Sequence, residues 1–136
     1  MSSESAKLES VGFRPVTKES FSQRVIKFDK RIRSCSILDS QGNPLQILVK
    51  EGVTSLVPKS ENMKLFIQMA LGVGMDKMWN RQMGITRHIV ITREKVTLAI
   101  FPLADAKSIL VSAEPLFPAG RLAKLGEFVD SMGLAL

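Results

Sequence analysis

The sequence predicts a single α/β domain with the element order α-β-β-α-β-β-β-α, and three observations carry that prediction. Apolar residues recur at helical spacing over residues 17–31 and again over 121–132. A turn sequence, DSQGNP at 39–44, separates two short strand-like runs. A long methionine-rich segment at 61–83 reads as one helix, and strand-like runs follow it from 86 to 113.

The chain has 136 residues. That is an ordinary size for one domain and enough to bury roughly two-thirds of the unfolded surface. With 45% hydrophobic residues it lies outside the disordered class. No apolar run approaches the roughly 18 residues that a membrane span needs. The opening MSSESAKLES lacks an apolar core, so neither a signal peptide nor an anchor is expected there. Residues 1–12 read as a flexible, polar tail, and residues 13–136 as the domain, with Phe13 and Val16 beginning its ordered part.

In the first helix, Thr17 is the expected N-cap, and Glu19 sits in the first turn where a carboxylate suits the dipole. Phe21, Val25, Phe28 and Ile32 form one apolar stripe with basic residues opposite. Residues 34–38 and 45–50 then form a hairpin. Asp39 opens its turn through the side chain, Gly42 supplies positive φ, and Pro44 blocks helix. The apolar connector 53–57, bracketed by Gly52 and Pro58, packs on the domain surface or adds a short strand.

Ser60 is the expected cap of the second helix, residues 61–83. At full length this helix spans about 34 Å, against about 20 Å for a six-residue strand. It overhangs its sheet unless it bends or breaks. Spacing at 100° per residue places Met63, Phe66, Ile67, Met69, Ala70, Val73 and Gly74 on the sheet-covering face. The opposite stripe reads Lys64, Gln68, Gly72, Met75, Trp79 and Gln82, with two large apolar residues where water is expected. Gly72 and Gly74 each cost about 1 kcal/mol relative to Ala in a helix interior. Either Met75 and Trp79 fold under a loop and the glycines kink the helix, or a second subunit or partner covers this stripe.

Gly84 stops the helix. Residues 86–93 alternate, with Ile89 and Ile91 on one face and His88, Val90 and Thr92 on the other. Residues 96–101 and 108–113 are more continuously apolar, as strands covered on both faces should be. Leu122, Leu125, Val129 and Met132 form the stripe of the closing helix.

Little in the chain points to catalysis, metal or cofactor. His88 is the single histidine and reads as a polar sheet or interface residue. Cys35 is alone, which excludes an internal disulfide, fits a reducing cytoplasm and favours a small core residue over a nucleophile. The carboxylates Asp39, Glu61, Glu94 and Asp105 mark turns and helix starts rather than an acid/base pair. Gly72-Val-Gly74 lies within a helix and lacks the Gly-Lys-Ser/Thr of a phosphate loop. Gly120-Arg121 at the last helix start has only the generic capacity of helix starts to meet a phosphate. The net charge is +6, and residues 14–33 hold seven basic residues against two acidic ones. Arg24, Lys27, Lys30 and Arg31 are the centre of that patch, either a solvated helix face or a surface for an acidic partner or nucleic acid.

The stretch IRSCSILDSQGNPLQILV (32–49), followed by a long helix, a strand pair and a closing helix, resembles the dynein light chain roadblock family. That family belongs to the profilin-like group that includes longin domains. The resemblance implies a three-layer α/β/α sandwich around a five-stranded antiparallel sheet, with the long helix on one face and the terminal helices on the other. It further implies a homodimer formed through the long helix and the following strand, here Gly72, Met75, Trp79, His88, Val90 and Thr92. Such dimers act as platforms for small Ras-like GTPases or signalling complexes. A small-ligand sensor of PAS or GAF type, which needs an apolar cavity, and a nucleic-acid-associated protein using the basic first helix are the alternatives.

Overall fold

The computed structural model of the chain describes residues 6–9 and 19–132. Helix α1 (Phe21–Phe28) starts at Ser20, whose hydroxyl accepts from the Gln23 amide at 3.2 Å while the Gln23 side chain accepts from the Ser20 amide at 2.7 Å. This reciprocal box satisfies two otherwise orphaned amides. Thr17, the cap expected from sequence, lies outside the described residues. The helix also ends earlier than its apolar stripe suggests. Asp29 adopts extended φ/ψ and its carboxylate accepts from the Arg31 amide, so Ile32 is already in strand β2 (Ile32–Leu38).

β2 and β3 (Pro44–Lys50) form the expected hairpin. Asp39 closes its turn by accepting from the amides of Gln41 and Asn43, both at 2.9 Å. Gly42 has φ +86°, and a Cβ there would lie 2.6 Å from the Ile67 Cα. Glycine is required twice over: for the backbone conformation and for backbone-to-backbone contact with the long helix.

That helix is not one straight rod. A 3-10 turn, Lys59–Glu61, precedes α2 (Asn62–Asp76), a second 3-10 turn spans Lys77–Trp79, and α3 (Asn80–Met83) completes the segment. Ser60 sits in the first 3-10 turn, closed by the Glu61 amide on the Pro58 carbonyl, and so is not the cap. The break falls at 77–79 and not at Gly72 or Gly74.

β4 (Ile89–Thr92) is shorter than the expected run from 86. Its partner β5 (Thr97–Pro102) ends in a proline without an amide to continue the ladder. β6 (Ser108–Ala113) has the expected bounds, and α4 (Ala119–Ser131) closes the chain after Pro118.

The five antiparallel strands run β3-β2-β6-β5-β4. Residues 6–9, read from sequence as tail, form β1 (Ala6–Glu9), which pairs antiparallel with β3 and makes a sixth strand. The open edge of β3 offers unpaired backbone groups that a short segment can cap. Two cores result. Val25 and Ile26 of α1 and Leu122, Leu125 and Val129 of α4 pack on Cys35, Ala99, Phe101 and Val111. On the other face Phe66, Met69 and Val73 of α2 cover Leu38, Leu98, Ile100 and Leu110. The three layers α/β/α follow from this division.

Candidate interaction surface

The sheet buries only a narrow arc of α2, residues Phe66, Met69, Ala70 and Val73. Met63 and Ile67, expected in the sheet-covering face, are exposed, and so is Gly74. The reason is geometric: four residues spaced i, i+3, i+4 and i+7 already fill the contact between one helix and the strands beneath it.

The rest of the helix is unusually apolar for a surface. Met63, Ile67, Leu71 and Met75 recur every four residues, and Met78 and Trp79 continue the row along the 3-10 turn. Leu71 is 59%, Met75 65% and Trp79 51% exposed. Among the described residues, no loop folds back over Met75 and Trp79. Cβ atoms added at Gly72 or Gly74 would meet nothing within 4 Å, so neither glycine serves close packing inside this chain.

Gly72, Gln68, Met69 and Met75 form one wall of a groove of about 590 Å³. Ile89 and Ile91 of the sheet-edge strand β4 form the other. His88, Val90 and Thr92 are not in this groove. Strand alternation turns them to the opposite sheet face, where the His88 ring lies 5.6 Å from that of Phe101. Gly72 and Met75 therefore share a surface with Ile89 and Ile91, while the other three reach the same edge from behind. Sequence alternation contained this split, since Ile89 and Ile91 already stood on their own face. What it lacked was which face met α2.

No protein-family model and no curated relative matches the sequence. Solved structures do match. The gliding protein MglB of Thermus thermophilus superposes with a TM-score of 0.65 at 15% identity, over 82% of this chain and 81% of that one. An MglB described as having a tetrameric arrangement gives 0.63 at 14% identity, covering 88% and 91%. A Roadblock/LC7 domain of Streptomyces avermitilis gives 0.58 at 11% identity, covering 82% and 92%. This chain has a roadblock fold.

On the α1/α4 face of this roadblock fold, several basic residues make internal contacts. The Asp29 carboxylate, 7% exposed, accepts from Arg31 at 2.8 and 2.9 Å and from Arg121 Nε at 3.1 Å. Arg31, foremost through its hydrogen bond, holds the Asp29 carboxyl far below the usual carboxylate range. Arg121 lies 4.4 Å above the Phe28 ring, Arg31 5.2 Å from Phe117, and Arg24 5.7 Å from Phe128. Lys27 pairs with Glu19. Of the four patch residues, Arg24 and Arg31 thus join a cation–aromatic seam that links α1 to α4 and the segment before it, while Lys30 is exposed.

Cys35 is fully buried in the roadblock core, and burial pushes its thiol up to about 12. A thiol so placed is a packing residue and not a nucleophile at neutral pH. Among the described residues, no three His, Cys, Asp or Glu side chains converge as a metal site would need. No described helix is long and apolar enough to cross a membrane.

Proposed function

We propose that this chain is a non-catalytic, cytoplasmic scaffold or regulator that works as a homodimer and docks a small Ras-like GTPase or a signalling complex. The observation that carries the reading is the uncovered apolar row on α2. Placing Leu71, Met75 and Trp79 in water is unfavourable by roughly 25 cal/mol for each Å² of apolar surface, so a stable protein gains by covering them. A second copy suits the row because a two-fold contact sets the same patch against itself. Gly72 lets the partner helix come close, and edge strand β4 offers Ile89 and Ile91 on one face and His88, Val90 and Thr92 on the other. The MglB described as tetrameric supports self-association, and the roadblock resemblance supports the GTPase.

Two measurements test the two halves separately. Sedimentation equilibrium of the purified chain is expected to report a dimer, and Trp79→Glu a monomer. A pull-down from native cytosol is expected to retain a small GTPase in a nucleotide-dependent way. A wild-type chain that stays monomeric at high concentration removes the first half, and a pull-down that retains none removes the second.

A further inference from the structure

The α2 face of the sheet is not fully covered by α2. At the end where β2 begins and β6 ends, the strands carry Ser34, Ser36 and Ser112 where a buried sheet face ordinarily carries large apolar side chains. The missing volume stays open as a cavity of about 900 Å³. Leu65, Phe66 and Met69 of α2 form one wall, and Val53, Leu56 and Val57 of the connector form another. The connector is held in place by Arg33, whose guanidinium donates to the Thr54 carbonyl at 2.8 Å.

The cavity joins apolar walls to a polar floor and a charged rim. Ser34 and Ser112 hydroxyls bond one another at 2.5 Å. Ser36 is 4% exposed as a residue and its hydroxyl opens into the cavity. Arg33, Arg93 and Lys95 line the rim against a single carboxylate, Glu94, so the mouth is net positive. A concave volume with apolar walls and polar groups gathered at one end suits a ligand that is itself apolar at one end and polar at the other.

We infer that this cavity binds a small single-chain amphiphile, its hydrocarbon part between α2 and the serine floor and its anionic head at Arg93 and Lys95. The site adjoins the groove beside Gly72, sharing Gln68, Met69 and Ile91 with it, but Gly72, Met75 and Ile89 lie outside its lining. A carboxylate and a phosphate head share the chemistry the rim recognises.

The test is calorimetric titration of the full chain, freed of bound lipid, with decanoate, decyl phosphate and decan-1-ol. Saturable binding of at least one anion, about tenfold or more tighter than the alcohol, is expected from charge-assisted hydrogen bonds at the rim. Arg93→Gln with Lys95→Gln should abolish that preference without disturbing the fold, since both side chains are exposed. Ser36→Leu with Ser112→Leu should fill the floor and remove binding of all three probes. Met75→Glu, in the adjoining groove and outside the cavity lining, should leave binding unchanged. Equal affinity for anion and alcohol, no saturable binding, or binding that survives the filled floor would each overturn the inference. Should the filled variant not fold, the rim variant alone decides.

Discussion

Gly42 joins two parts of the fold that no sequence window contains together. Its positive φ suits the hairpin turn, and its missing Cβ lets the turn sit on the α2 backbone at Ile67. Gly42→Ala should cost about 2 kcal/mol or more, well above an ordinary glycine effect, because backbone and not a flexible side chain stands in the way. Urea unfolding monitored at Trp79 checks it. Asp29 gives a second expectation. Its folded carboxyl titrates below its ordinary value of 3.8, so its contribution to stability is present above that value and is lost as pH falls through and below it. Asp39 shifts the same way, chiefly through the Asn43 amide. Asp29→Asn should therefore destabilise the fold by about 2 kcal/mol at pH 7 and flatten the loss of stability toward acid, as thermal melts across pH would record. The turn role of Gly42 was legible in DSQGNP. The role of Asp29 was not, because Arg121 reaches it from 92 residues away.

The elements were legible where a local rule decides them. The hairpin, β6 and the closing helix come from turn chemistry and periodicity that act within a few residues. The expectations that failed depended on partners distant in sequence. Helix α1 stops at Phe28 because Asp29 turns to Arg31 and Arg121. The β4 ladder stops at the Ile89–Ile100 pair, and β1 exists because β3 leaves an edge. Met63 and Ile67 were assigned to the core because periodicity marks apolar residues and does not count how many the sheet can cover. For α2 itself, Gly72→Ala separates helix stability from partner contact. In the Trp79→Glu background, expected to be monomeric, it should raise unfolding free energy by about 0.5–1 kcal/mol, since its Cβ meets nothing. In the otherwise wild-type chain it should loosen the dimer, which dilution in the ultracentrifuge would reveal.

Across the whole molecule the two faces of the sheet are finished differently. The α1/α4 face is closed by two helices, a cation–aromatic seam and a buried thiol, and native protein should leave Cys35 unlabelled by a thiol reagent until it unfolds. The α2 face is left incomplete twice, by an uncovered helix row and by a cavity at one end of the sheet. A chain that folds well on one side and leaves apolar surface on the other is suited to assembling with something else. A stable interface buries about 800 Å² per partner, and the α2 row and the β4 edge lie side by side to contribute to it. Sedimentation equilibrium of wild type beside Trp79→Glu tests this most directly. Dimer for the wild type and a folded monomer for the variant are expected. A wild type that remains monomeric at high concentration, or a variant that still dimerises, would contradict assembly through α2.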